Sequence, residues 1–357
     1  MPATSCGWWS APVITAKVAR AYTNIVDTRR VASISDTFLV FIDDLLQLLA
    51  RIRRLHSHGF ADDLAFWTTG NFRSGETGIA LRQGLREADR WARRWRMQFS
   101  PQKCVCLCFR GKNVRVMREF VARLHGETLP HDRAVRYLGV WFDERLTWER
   151  HMTEALARAR ARLWQLKRLV GSEWGLCPGL FMRLVRGAVL PRLMFGAPVW
   201  SSVLRSSQRL SALDAVLAMA AKMAFGLERF TSTEASLALS GLMPARQQIL
   251  QRLVAYMLRR RRTMLEEDAL PRVHRSYVTP DELGRTWFQR SVRGHTIPTI
   301  MPRRRQLIRA GVERALMDEW QRHWSASERG RQLFGILGRV GGGGWSPRTG
   351  TPWVGVI

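Results

Sequence analysis

Apolar residues recur at three- and four-residue steps through Phe38, Phe41, Ile42, Leu45, Leu46, Leu49 and Ile52. That is the period of one helix face, and it predicts a helix ending near Leu55. After a turn at His56-Ser57-His58-Gly59, the run Phe60-Ala61-Asp62-Asp63-Leu64-Ala65-Phe66-Trp67 reads as two short strands joined at the aspartates. A second stripe, Ile79, Leu81, Leu85, Ala88, Trp91, Ala92 and Trp95, predicts a helix over 78–96, broken by Ser100-Pro101. Strands are predicted at 103–109, where Cys and Val alternate, and at 135–142, ended by Asp143-Glu144-Arg145. Beyond Leu146 the pattern is helical, with helices expected at about 149–170, 178–202, 206–226 and 244–265 and with Gly226 through Pro244 as a separator. Residues 1–30 carry only weak signals, 270–300 lose periodicity, and a short helical segment over 303–335 precedes a tetraglycine at 341–344 that should be flexible.

This ordering predicts an α+β chain in five parts: a poorly defined segment 1–35, a mixed region 36–148, a helical region 149–268, a linker 269–302 and a helical tail 303–357. No transmembrane span is expected, because the most apolar run, Thr37 to Ile42, stops at Asp43-Asp44. The N-terminus lacks the basic and apolar regions of a signal peptide. Five cysteines, an odd number, then argue for a reducing compartment and against a disulfide scaffold, so an intracellular protein is expected.

Charge narrows the partner class. The 357 residues carry a formal charge of +28, and of 57 basic residues 52 are Arg and five are Lys (17, 103, 112, 167 and 222). The planar guanidinium pairs bidentately with phosphate, so polyanions are the expected partners. Arg158, Arg162, Arg168, Arg183, Arg186 and Arg192, with the clusters Arg259–Arg262 and Arg303–Arg305, make the helical part a candidate for template–primer or RNA contact.

Two neighbouring carboxylates in a tight turn between apolar strands call for a counterion. A hard divalent cation such as Mg²⁺ needs only one or two carboxylates plus substrate phosphates, which makes Asp62 and Asp63 candidate metal ligands. Cys104, Cys106 and Cys108 alternate along one strand, a geometry that does not converge thiolates on zinc, and they read as a buried apolar face. His56 and His58 read as turn residues, since imidazole suits softer metals than Mg²⁺. Nucleophile-elbow, phosphate-loop and dinucleotide-binding glycine motifs do not occur in the sequence.

Phe60-Ala61-Asp62-Asp63 with its apolar tail resembles the (F/Y)-x-D-D signature of reverse transcriptases, in the form typical of non-LTR (LINE-type) retrotransposons. Further blocks arrive in family order. Trp95-Arg96-Met97-Gln98-Phe99-Ser100-Pro101-Gln102-Lys103 resembles the next palm motif, and Arg136-Tyr137-Leu138-Gly139-Val140 with Leu146-Thr147-Trp148 resembles the primer grip leading into the thumb. Phe195-Gly196-Ala197-Pro198-Val199-Trp200 resembles a thumb-side block, and Glu319-Trp320-Gln321 with Trp324 and Gly330-Arg331 is similar to a segment downstream of the ribonuclease H part of such polyproteins.

The resemblance implies a partial palm over 36–148 followed by thumb-like helices. It implies that Asp62 and Asp63 ligate Mg²⁺, that Lys103 assists the pyrophosphate leaving group, and that Tyr137, Leu138 and Gly139 pack a hairpin against the primer backbone. RNA template and DNA primer are the implied partners, without a small-molecule cofactor or membrane, and the nucleus is the implied compartment.

The family's chemistry also needs a second carboxylate on a neighbouring strand, lying upstream beyond a P-Q-G motif. Here that stretch reads Arg30-Val31-Ala32-Ser33-Ile34-Ser35-Asp36, and only Asp27, Asp36, Asp43 and Asp44 are acidic before Asp62. Asp27 is the one substitute considered. The expectation is an N-terminally truncated reverse transcriptase, inactive alone, and the alternative is a non-catalytic, basic, helical RNA- or DNA-binding protein.

Overall fold

The computed structural model describes residues 12–19, 34–60, 63–68, 75–109, 121–170, 175–260 and 302–340. These residues mix helices with small antiparallel sheets, as the α+β expectation requires, and they form two compact units that meet in sequence between Arg150 and His151.

The first unit is built on a split βαβ plan. Strand β1 (Pro12–Ala19) leads to helix α1 (Ile34–Ala50), the hairpin β2 (Leu55–Phe60) and β3 (Asp63–Thr68), helix α2 (Glu76–Arg94), the short β4 (Gln98–Phe99) and β5 (Val105–Cys108). The sheet runs β2-β3-β1 and then to β4 and β5, every pairing antiparallel. The first strand in sequence is therefore central, flanked by β3 and β5, which is the β-α-β-β-α-β arrangement of ferredoxin-like folds. The weak signals over 1–30 gave no hint of this strand. Its partners stand some fifty and ninety residues away, and such long-range pairing leaves little trace in a local pattern.

Helices α1 and α2 cover one face of the sheet because their apolar stripes and the alternate residues of the strands need each other. Ile42, Leu45 and Leu49 from α1, Leu81, Leu85, Ala88 and Trp91 from α2, Leu64 and Phe66 from β3, and Cys104 and Cys106 by β5 form one buried cluster. Gly84 lets α2 approach, since a Cβ there would come within 2.8 Å of Leu55 Cδ2. Cys104, Cys106 and the half-buried Cys108 behave as the expected core edge, and their sulfurs are free thiols. The hydrogen-bonded Cys108 thiol first, and burial second, push Cys106 well up, so it stays protonated and inert.

After β6 (Arg123–Leu124) and β7 (Glu127–Thr128), residues predicted as one strand over 135–142 form instead a hairpin, β8 (Ala134–Tyr137) and β9 (Val140–Asp143). Leu138 and Gly139 turn the chain with φ of 46° and 86°, the two positive values that a tight two-residue hairpin loop requires. A leucine is an unfavourable residue for that turn, which is why the pattern reads through it as continuous strand. Asp143 then ties the exit, accepting hydrogen bonds from the backbone N–H groups of Arg145, Thr147 and Trp148 and from the Thr147 hydroxyl.

The second unit is helical. It takes in α3 (Glu149–Lys167) from His151 onward, α4 (Pro178–Leu184), a π-helical stretch Val185–Val189, α5 (Leu190–Leu193), α6 (Ser207–Phe225), α7 (Thr233–Ser240), α8 (Ala245–Arg260), α9 (Pro302–Ala326) and α10 (Arg331–Ile336). The helix predicted over 178–202 is thus shorter and carries the π segment just before Pro191, which cannot donate a backbone hydrogen bond. Helix α7 lies in the stretch read as a separator. It is only eight residues long, capped by the Ser232 hydroxyl on Ala235 N–H and closed by Gly241 at φ 62°. The tail segment docks on the bundle: Trp320 and Trp324 are buried, Arg246 pairs with Glu319 at 3.1 Å, and Ser327 donates to Glu234 at 2.5 Å.

Candidate nucleotide and primer site

Asp63 opens β3, and in the β2–β3 ladder it stands opposite Phe60, so residues 61 and 62 alone link the strands. Two strands joined at the aspartates were the expectation, and the structure has that hairpin. His56-Ser57-His58-Gly59, expected as a turn, forms most of its first strand instead, because pairing with the apolar β3 overrides the low strand propensity of those residues. In the other direction Asp63 stands opposite Lys17 of β1. The register position beside it in the central strand is therefore held by a basic residue.

Three residues predicted from separate stretches of sequence line one cavity of about 170 Å³: Asp63 at the start of β3, Lys103 at the end of the 3₁₀ turn Pro101–Lys103, and Tyr137 at the end of β8. Pro101 fixes that turn and the Lys103 N–H closes it on Ser100 O at 3.0 Å, leaving the lysine side chain exposed. Tyr137 is half-buried. Burial first, and the Asp63 carboxylate second, push its phenol up, so it is a neutral hydroxyl at physiological pH. Its oxygen is enclosed and has no hydrogen-bond partner among the described residues.

Arg136 and Asp132 also line the cavity. Asp132 was missed by sequence reasoning. It is an exposed residue in an irregular stretch, placed there because its N–H donates to Cys106 O at 3.1 Å and His131 bridges to Cys106 beside β5. A lone Asp before an Arg in a loop carries no signal that would have found it. Trp141, another lining residue, is stacked under the Arg150 guanidinium at 3.8 Å.

The remaining predicted residues are spread more widely. Leu138 is exposed at the hairpin tip, beside Gly139. Asp62, Asp27, Arg261 and Arg262 lie outside the described residues, as does the Arg30–Ser33 stretch. Arg259 and Arg260 end α8, and their side chains also lie outside what is described. Asp43 is exposed and accepts from Gln47 at 2.7 Å.

The donor set was tested against a hard divalent cation. Among the described residues no group of three His, Cys, Asp or Glu side chains could hold a metal. The cavity does offer oxygen donors, the Asp63 and Asp132 carboxylates and the Tyr137 hydroxyl, which is the chemistry such a cation takes when substrate phosphates supply the rest. Among the described residues no helix is long and apolar enough to cross a membrane.

No family model matches the chain. Curated relatives do. A Retrovirus-related Pol polyprotein from the type-1 retrotransposable element R1 2 of Nasonia vitripennis is 27% identical over 214 residues, 59% of this chain and 52% of that protein. A putative 115 kDa protein in the type-1 retrotransposable element R1DM of Drosophila melanogaster is 26% identical over 307 residues, 84% of this chain and 26% of its own length. The RNA-directed DNA polymerase from the Drosophila mobile element jockey is 24% identical over 151 residues, 41% of this chain and 16% of that polymerase. The chain spans between 26% and 60% of the length of the first three such relatives. The ordered motifs and these similarities agree: the chain is related to the polyproteins and RNA-directed DNA polymerases of non-LTR, LINE-type retrotransposable elements.

Proposed function

We propose that the first unit is the palm-derived part of a reverse transcriptase, that the helical second unit is its thumb-like part, and that the chain by itself binds nucleic acid without extending a primer. One observation carries the reading: Asp63, Lys103 and Tyr137, separated by up to 74 residues in sequence, line a single cavity, and each comes from a different motif of the resemblance. In this reading Asp62 and Asp63 hold a divalent cation, which when bound neutralises phosphate charge. Lys103 sets a fixed positive charge beside the leaving phosphate. The Tyr137 hydroxyl, neutral and enclosed, donates to a primer oxygen while Leu138 and Gly139 bring the hairpin backbone close to the strand.

The sheet register supports a catalytically incomplete site. Position 17, opposite Asp63 in the central strand, is a lysine, so the neighbouring carboxylate that a two-metal displacement needs is not supplied there. The same feature favours the second reading, a non-catalytic basic nucleic-acid-binding protein. Primer extension by the full chain on a homopolymer RNA template with Mg²⁺ tests activity, and Mn²⁺ titration followed by electron paramagnetic resonance tests the hairpin. We expect no extension, together with weak Mn²⁺ binding that is lost in Asp62→Asn/Asp63→Asn. Extension that survives this double substitution would overturn the assignment of the site.

A further inference from the structure

The geometry points to a second nucleic-acid surface on the first unit, formed by the outer face of α2 and separate from the cavity. Helix α2 spends its apolar stripe entirely on the core, where Leu81, Leu85, Ala88, Trp91 and Ala92 are buried. Arg82, Arg86, Arg90, Arg93 and Arg94 are all exposed. At 100° per residue these five fall within an arc of roughly 120°, and from Arg82 to Arg94 the ridge is about 18 Å long.

On α2 itself, Glu87 and Asp89 flank the arc, and both are engaged. Glu87 takes Arg90 through both oxygens at 2.7 Å, and Asp89 takes Arg93 at 2.6 Å. Glu76, in the first turn, pairs with Arg54. Five arginines against Glu87 and Asp89 leave the ridge a net charge of about +3 on a single helix face. The cavity's lining comes from β3, the 101–105 turn and the 132–141 segment, with no residue of α2.

The occupant we assign is the phosphate backbone of a nucleic acid, bound without base readout. Guanidinium forks suit phosphate, and at about 3.4 Å per phosphate along one duplex strand the ridge spans on the order of five phosphates. A lipid surface is a poorer fit. A helix that lies on a bilayer inserts its apolar face, and that of α2 is already buried against α1 and the sheet, leaving Ile79 as its one exposed large aliphatic residue.

The test is fluorescence anisotropy of the full chain with a 20-nucleotide single-stranded RNA and with its duplex, at 50 to 300 mM salt. Arg82→Gln/Arg86→Gln/Arg94→Gln leaves Arg90 and Arg93, held by Glu87 and Asp89, in place. It is expected to flatten the log–log salt dependence by about two to three and to weaken binding at 100 mM salt about tenfold or more. The Arg→Lys version of the same triple keeps charge and should keep most of the slope. Gln83→Glu, within the arc, is the milder check should the triple fail to fold, and it should also weaken binding. Unchanged affinity and slope in the Gln triple and in Gln83→Glu would overturn the proposal. So would loss of binding to phosphatidylserine vesicles with RNA binding intact. Mn²⁺ binding at the Asp62–Asp63 hairpin is read separately and should not change in these variants, so failure of that site and failure of the ridge are distinguishable.

Discussion

The Asp143 carboxylate accepts the backbone N–H of Trp148 at 2.6 Å, a bond that spans five residues and holds the exit from the β8–β9 hairpin in one shape. The same side chain takes three further donors from Arg145 and Thr147, while Leu146 and Trp148 are held at φ of 51° and 64°. Asp143→Ala removes all four bonds and leaves the two strained residues unsupported, so it should cost about 2–4 kcal/mol of stability. Asp143→Asn keeps one acceptor and should cost less. Urea unfolding of the two variants checks the order.

His151 and Asp214 predict opposing pH dependences. His151 is buried against Trp200, ring centroids 5.7 Å apart, and burial pulls its pKa down to about 4. The unfolded chain takes up a proton near 6.5 that the folded chain refuses, so this residue's contribution is lost as pH falls from 6.5 toward 4. Asp214 accepts from Ala245 N–H at 2.6 Å, and its burial pushes it up to about 6. Its folded form holds a proton that the unfolded chain has released, so stability falls as pH rises from about 4 to 6. The two slopes offset each other in the parent chain. Asp214→Asn keeps the acceptor for Ala245, removes the carboxylate, and should raise stability at pH 7 by on the order of 2 kcal/mol while exposing the rising His151 limb. Thermal melts between pH 4 and 8 will show whether that limb appears.

Tyr137→Phe should separate fold from ligand. The hydroxyl has no partner among the described residues, so its removal should move stability by less than about 0.5 kcal/mol. If the phenol donates to primer, the variant should bind a primer–template duplex more weakly at unchanged melting temperature. Equal affinity would remove Tyr137 from the site.

Gly330 closes the turn before α10 at φ 78°, and a Cβ there would lie 2.9 Å from Ala235 Cβ and 3.4 Å from Trp324 Cη2. Gly330→Ala therefore combines a left-handed backbone with a steric clash and should cost about 1–3 kcal/mol. Hydrogen exchange should localise the loss to α7 and the Trp324 region.

How much of this could be read beforehand follows from the range of the forces involved. The α1 and α2 stripes and the link at the aspartates are local patterns, and they were legible, whereas the hairpin's first strand at 55–60 read as a turn because two histidines, a serine and a glycine carry little strand signal. So was the buried character of Cys104 and Cys106, from alternation alone. The central strand at 12–19 was not, since Pro12-Val13-Ile14-Thr15-Ala16-Lys17-Val18-Ala19 shows no clean alternation and its place depends on partners far along the chain. The turn at Leu138 was hidden from the apolar pattern by a residue in a conformation that such residues avoid, and only the family resemblance implied a hairpin there. Of the cavity, Asp63, Lys103 and Tyr137 were legible as family motifs, whereas Asp132 was not, because only tertiary pairing with β5 brings it there.

A sheet whose middle rung comes first in the sequence has an exchangeable slot. Strand β1 is bonded to β3 on one side and to β5 on the other, and its position 17 stands opposite Asp63 in the ladder. Chemistry in such a scaffold is a property of whichever segment occupies the slot. In the proposed reading, an aspartate grafted at position 17 would place a second carboxylate at the register position opposite Asp63.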